Sequence, residues 1–428
     1  MSSRIALRDN IRVGFRAGIA RIAGANGTAQ LVALLASPVL TRLFTPEDFG
    51  LYGIFLSVVG PASVLATLRF EDAIPLPEGD EAASALVVLG CMTAIASGVA
   101  AACITYATFQ LQGHRGYATH VAFIAGIAVA GSGVTASLIS WAVRERAYTK
   151  IAHSALTKSV FQTTGHIALG LAGLGAVGLA GGKALEKTMG IAAVGRLYWQ
   201  TGRGVLRGVG PRHLMRVASS YSQFPIYGIP AQALTSGSQF LPPLILATAY
   251  GPMSAGMFVL AIRVLVTPLM TVGGAIGQAY MGVAPDLFRS APHRLLRLFD
   301  KVAIVLLLSG IILVGVMVIG GGALFSFVFG DQWASAASTV QLIGLAIAAK
   351  VTTGALSRTL HLVNRLPTKL GFDALAFLLG VGGLALAAAL GASEHVALGV
   401  YGGVLFAHHM LYLFMLRRVI RKSADEVR

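Results

Sequence analysis

Charge is scarce in this sequence: Asp, Glu, Lys and Arg make up 12% of its 428 residues, about half the share of a soluble domain. That scarcity excludes a water-soluble enzyme and leaves no stretch that reads as a soluble domain. Acids are rarer than bases, 17 against 33. Cysteine is nearly absent. Cys91 and Cys103 are the two present, and on one helix they stand about 18 Å apart, too far for a disulfide. The histidines are scattered, and His408-His409 lack metal-site spacing. No cleaved signal peptide is expected, because residues 1–21 form a basic arm with no small-residue cleavage site behind a short apolar core.

Apolar runs fill the space that charge leaves. Hydrophobic residues are 55% of the chain and the mean hydropathy is +0.75. Runs of about 20 residues recur throughout, which makes this an all-α integral membrane protein with several spans. Twelve spans are expected: 20–43, 50–70, 82–108, 119–142, 151–172, 176–197, 220–248, 254–282, 302–325, 335–361, 370–391 and 396–416. The glycine- and alanine-rich stretch 170–182 makes the break between spans five and six the hardest to place.

The net charge of +16 does not indicate nucleic acid as a partner. Of the 33 Lys and Arg, 24 fall in six segments, 4–21, 144–150, 196–216, 289–301, 365–369 and 417–428. These are the two terminal segments and four alternate loops, while the intervening loops hold only Arg115. That alternation follows the positive-inside rule and places both termini in the cytoplasm. The expected layout is a basic arm 1–19, a six-helix bundle 20–197, a basic cytoplasmic linker 198–219, a second six-helix bundle 220–416 and a basic tail 417–428.

A repeat links the two halves. Thr45-Pro46-Glu47-Asp48 and Gly50 precede an apolar run containing Pro61. Downstream, Gly251-Pro252 and Gly256 precede a run containing Pro268. Pro46 matches Pro252, Gly50 matches Gly256, and Pro61 falls one position from Pro268. Pro38 roughly matches Pro242-Pro243. Equal orientation of the partners implies two bundles about a pseudo-twofold axis along the membrane normal, with a substrate site between halves. Pro38, Pro61, Pro225, Pro230, Pro242 and Pro268 are hinge candidates.

At the repeat the chain resembles a known family. Thr41-Arg42-Leu43-Phe44-Thr45-Pro46-Glu47-Asp48-Phe49-Gly50-Leu51-Tyr52 is similar to the first-half signature of the polysaccharide transporter family. Phe224-Pro225-Ile226-Tyr227, Ser238-Gln239-Phe240-Leu241-Pro242 and the segment from Gly256 to Leu265 resemble its second half. The likeness covers roughly residues 20–300. It implies a flippase of the O-antigen type within the multidrug/oligosaccharidyl-lipid/polysaccharide exporter superfamily. Such a protein moves a polyprenyl-diphosphate-linked oligosaccharide from the inner to the outer leaflet of the bacterial inner membrane. The implied partners are that lipid-linked glycan, the bilayer and other polysaccharide assembly proteins. No cofactor is implied beyond a coupling proton or sodium ion.

Eight basic residues stand inside or at the edges of spans: Arg42, Arg69, Lys158, Lys183, Lys187, Arg263, Lys350 and Arg358. Each costs about 2.5–3.5 kcal/mol at a helix centre, so a cavity or a partner should receive it. Lys158, Gln162 and His166 share a face of span five, Lys183 and Lys187 a face of span six, and Arg263, Thr267 and Thr271 a face of span eight. Lys350, Thr353, Ser357 and His361 form a stripe on span ten. A cationic chamber for a diphosphate is one reading. Snorkelling of the terminal residues Arg42, Arg69 and Arg358 is the other, and Lys183 with Glu186 also fits a local ion pair. Glu186, Glu71 and Asp373 are the candidates for ion coupling; for Glu71 an interfacial anchor or structural ion pair competes.

Two familiar patterns fail in context. Gly173 to Gly178 matches a dinucleotide-type glycine spacing but follows no strand. The stretch 178–183 imitates a phosphate-binding loop, one residue short and with Ala184 where Ser or Thr is needed. No nucleophile–base pair can be read, so the chain is expected to be a transporter and not an enzyme. A membrane-embedded glycan polymerase would carry a large outer loop, and all six outer connections here are short. An exporter of small organic ions would favour an acidic, aromatic cavity; a lipid II-type substrate remains compatible with a basic one.

Overall fold

The computed structural model describes residues 24–25, 27–202, 210–362 and 366–426. The arm 1–19 and parts of the linker and tail lie outside the described residues. Within them the chain is helical and contains no strand. The helices are α1 (Gly27–Leu43), α2 (Pro46–Leu65), α3 (Asp80–Leu111), α4 (Arg115–Arg144), α5 (Tyr148–Leu171) and α6 (Gly175–Thr201). There follow α7 (Pro211–Ser220), α8 (Gln223–Tyr250), α9 (Pro252–Ser290), α10 (Pro292–Phe329) and α11 (Ala336–Leu356). The short α12 (Thr359–Leu362) leads to α13 (Leu366–Ala376), which continues through a π-helical segment, Phe377–Val381, into α14 (Gly382–Ala389). The chain closes with α15 (Glu394–Glu426).

Along the described residues a helix stands at each of the twelve expected spans, α13 and α14 together at the eleventh. Spans five and six part at residues 172–174, where Gly173 takes a positive φ of 70°. Among the described residues, eight spans are long and apolar enough to cross a membrane by composition. α5 and α6 are not among them, because α5 carries Lys158, Gln162 and His166 and α6 carries Lys183, Glu186 and Lys187. Large apolar side chains such as Leu111, Ile319 and Phe327 point outward, as on a surface solvated by hydrocarbon.

Three basic segments expected outside the spans carry helix. α9 has 39 residues, about 58 Å and well beyond the hydrocarbon core of about 30 Å, and α10 has 38 with a kink at Gly321. The loop 289–301 therefore shrinks to a single break at Ala291, with Pro292 opening α10. The basic tail extends α15, where Arg417 Nε and Nη2 donate to Asp300 at 2.8 and 3.0 Å. The linker holds α7, whose Val217 joins the core formed by Phe70, Ile74, Leu86, Trp141 and Val194.

The described chain divides into two compact units. The first comprises its residues up to Ala36 together with Val58–Ser236. The second comprises Ser37–Ser57 together with Gly237–Arg428. The far ends of α1 and the first part of α2 thus belong to the second unit, alongside the second copy of the repeat.

Local chemistry explains that placement. Thr45 and Asp48 form a capping box at the start of α2: the Thr45 backbone N donates to Asp48 Oδ2 at 3.0 Å, and the Asp48 N donates to Thr45 Oγ1 at 3.2 Å. Pro46 occupies the first turn, where its missing N–H costs nothing. The ends of α1 and α10 then cap one another. Arg42 Nη1 donates to Val328 O at 3.1 Å and Nη2 to Phe327 O at 3.4 Å. In return Gln332 Nε2 and the buried Trp333 Nε1 donate to Thr41 O at 2.8 and 2.9 Å. Each pair supplies donors to carbonyls that a helix end leaves open.

Candidate functional site

α5 and α6 bring the sequence's lysines together. A β-carbon at Gly190 would stand 2.9 Å from both Lys158 Cδ and Ser154 Oγ, so only glycine lets α6 lie against that face of α5. Ser154 Oγ donates to Gly190 O at 3.2 Å. Thr135 Oγ1 of α4 donates to the Lys187 carbonyl at 2.9 Å and fixes α6 from its other side. Lys183 pairs with Glu186 Oε2 three residues on, and Lys187 Nζ lies 3.7 Å from Glu186 Oε1. Lys158 is within electrostatic reach of Glu186 and Lys183.

Among the described residues three ammonium groups therefore surround one carboxylate, an excess of two positive charges. The paired side chains are 19–25% exposed. An excess of positive charge at such depth is costly, and a nearby anion offsets it. Beside it opens a pocket of about 260 Å³, lined by Gln30 of α1, by Lys158, Ser159 and Gln162 of α5, and by Glu186. Ser159 Oγ donates to Ala29 O at 2.9 Å and holds α1 to the pocket wall. The pocket thus offers charge, amide and hydroxyl groups on one surface, the set that phosphate and sugar hydroxyls require.

His166, expected on the same face as Lys158, also turns toward α6 but does not line the pocket. It is 1% exposed, its Nε2 is 3.0 Å from Leu179 O, and a β-carbon on Gly182 would stand 2.0 Å from its Cδ2. It packs the α5–α6 interface. Thr353 and Ser357 likewise turn inward to backbone, their hydroxyls donating to Ala349 O at 2.7 Å and Gly354 O at 3.2 Å. The side chain of His361 lies outside the described residues.

The other charged candidates are dispersed. Arg42 caps α10, as described. Arg69 takes a left-handed conformation with φ 66° and bridges Asp72 at 2.5 Å and Glu71 at 3.5 Å; Glu71 also accepts from Thr67 Oγ1. That cluster forms an ion-pair network just past the end of α2. Arg358 is exposed between α11 and α12. Arg263 of α9 lies within electrostatic reach of Tyr52. In the second unit Lys350 is near Asp373, whose Oδ2 is 2.5 Å from Lys369 Nζ.

The hinge candidates sit in continuous helix: Pro61 within α2, Pro225, Pro230 and Pro242 within α8, and Pro268 within α9. Pro38 follows a one-residue interruption of α1 at Ala36. The sharper departures are at Gly321 in α10, with φ 51°, and in the π segment. Gln30, a pocket residue, was not singled out from sequence, although a glutamine inside an otherwise apolar span is a visible polar mark.

A model of the polysaccharide biosynthesis protein family matches residues 39–338. No curated protein sequence matches the chain. Among solved structures, an inward-facing multidrug resistance MATE family transporter of the MOP superfamily is 15% identical, with TM-score 0.68, over 92% of this chain and 96% of that one. The lipid II flippase MurJ, in an inward closed conformation, is 11% identical with TM-score 0.73, over 94% of this chain and 89% of its own. A MOP superfamily transporter from Pyrococcus furiosus, described as having a binding pocket of reversed polarity, is 13% identical with TM-score 0.60, over 95% and 96%. At such identities the likeness is one of fold, the twelve-helix, two-bundle fold of these transporters.

Proposed function

Because this chain belongs to the polysaccharide biosynthesis protein family, we propose that it is a flippase for a polyprenyl-diphosphate-linked oligosaccharide. It carries that lipid from the inner to the outer leaflet of a bacterial inner membrane by alternating access, with both termini on the cytoplasmic side. The glycan would serve assembly of a surface polysaccharide such as O-antigen, capsule or exopolysaccharide. The observation that carries the reading is the two-charge excess of Lys158, Lys183 and Lys187 over Glu186 beside a pocket with polar walls. A diphosphate supplies the missing negative charge, and lysine is suited to it as a point charge.

The lysine-rich cluster beside the pocket argues against export of organic cations. A lipid II-type substrate shares the diphosphate and differs in its sugars. The test is transfer of a fluorescent undecaprenyl-diphosphate oligosaccharide across liposomes containing the folded protein. Protein-dependent appearance in the opposite leaflet is expected; its absence for every such glycan would overturn the reading.

A further inference from the structure

Among the titratable groups outside the ion pairs, two adjacent histidines lie buried in the second unit. We propose that His408 and His409, with Tyr412, form a reversible proton-binding site enclosed by α11, α13 and α15. As the coupling site of transport it rests on the flippase reading above; as a proton site it does not.

The burial is deep. His408, His409 and Tyr412 are 4%, 8% and 3% exposed. Both ring nitrogens of His408, Nδ1 of His409 and the Tyr412 hydroxyl have no hydrogen-bond partner among the described residues. Buried polar atoms nearly always find a partner, so four orphans in one cluster mark a place where something small binds. The rings are held from one side by Phe372 of α13, which stacks on Tyr412 with centroids 4.4 Å apart and lies 5.7 Å from His408. The two histidine rings are 5.1 Å apart and nearly perpendicular.

The surrounding charges favour a proton over a metal ion. α13 presents Asp373, already bound to Lys369 at 2.5 Å. α11 presents Lys350, whose charge reaches His409, while the Asp373 charge reaches His408 and Tyr412. The titratable side chains of α10 all lie in its first ten residues, and Asp300 there is taken by Arg417. A divalent cation would meet two ammonium groups and one engaged carboxylate. A proton needs a single ring nitrogen. Asp373 on one side and Lys350 on the other make the rings unequal, so the proton settles on His408. It leaves the same nitrogen as water takes it up, and the imidazole returns to its neutral form.

The carboxylates singled out from sequence are engaged otherwise. Glu186 is held by Lys183 and Lys187, Glu71 by Thr67 and Arg69, and Asp373 by Lys369. Imidazole is also the side chain that titrates without perturbation between about pH 5 and 8.

The experiment uses the full chain with 15N-labelled histidine in liposomes, followed by solid-state NMR across that range. One imidazole should pass from neutral to protonated, and its resonance should be missing in H408Q, with H408N as a second variant should the first not fold. Transfer of a fluorescent undecaprenyl-diphosphate N-acetylglucosamine should respond to a pH gradient in the wild type and lose that response in H408Q. A His408 ring that stays neutral throughout, as one bound only to buried water would, overturns the proposal. So does full gradient response in H408Q. A titrating His408 in a protein that transfers no lipid upholds the proton site and overturns the flippase reading.

Discussion

Gly50 and Pro252 meet so closely that a β-carbon at residue 50 would stand 1.8 Å from the Pro252 carbonyl oxygen. The reverse contact has the same form: a β-carbon at Gly256 would stand 1.9 Å from Pro46 O. Each glycine of the repeat faces the proline of the other copy. This is the self-complementary packing of a local twofold, in which one patch meets itself. The repeat that the sequence displays is therefore also a contact, and its glycines are required by the approach of backbone to backbone.

Gly50→Ala and Gly256→Ala should each destabilise the protein by about 1–3 kcal/mol or more, the cost of forcing a methyl group into filled space. Thermal unfolding in detergent, read from tryptophan fluorescence, checks this. The double variant should cost less than the sum of the two, because the first substitution already separates the shared surface. Full additivity would show that the two contacts are independent.

Trp333→Phe should cost about 1 kcal/mol, since the Thr41 carbonyl keeps Gln332 but loses the indole donor. Arg42→Gln removes both donors to the end of α10 and should speed hydrogen exchange at its last turn. Unchanged exchange there would mean that the carbonyls find water without cost.

In the first unit, Glu186→Gln should destabilise more than Lys187→Gln. The former leaves three ammonium groups facing one another, whereas the latter leaves Lys183 and Glu186 paired. The comparison is read by unfolding in detergent at fixed salt. For substrate, loss of one charged contact of about 1.5–3 kcal/mol corresponds to about 10–100-fold weaker apparent affinity. Lys187→Gln and Lys158→Gln should show it, with expression intact.

Glu71→Gln should lower stability, because Arg69 and Thr67 lose a partner, and should leave any response of transport to a pH or sodium gradient in place. Loss of that response with stability unchanged would return Glu71 to a coupling role.

Span number and the repeat were legible because they depend on hydropathy and fixed spacing alone. The grouping of Lys158 with Lys183 and Lys187 was legible only as faces of separate helices. What joins them is Gly190, and nothing in the sequence says which glycine meets which lysine. The roles of His166, Thr353 and Ser357 were not legible for one reason: a polar stripe at helical spacing has the same pattern whether it lines a cavity or bonds to backbone. The isolated pair His408-His409 lacks any metal spacing, so its enclosure emerges only when α11 and α13 are placed around α15. Helical continuity through 289–301 was hidden because a basic segment reads as a loop whether or not it folds.

The central claim is that the excess positive charge of the first unit selects a lipid diphosphate glycan. The direct measurement compares two probes in liposomes, a fluorescent undecaprenyl-diphosphate oligosaccharide and a lipophilic organic cation, for the wild type and for K158Q/K183Q/K187Q. The account predicts transfer of the diphosphate lipid by the wild type, loss of that transfer in the triple variant, and no transfer of the cation by the wild type. Equal transfer of the diphosphate lipid by both proteins, with the triple variant folded, would contradict it.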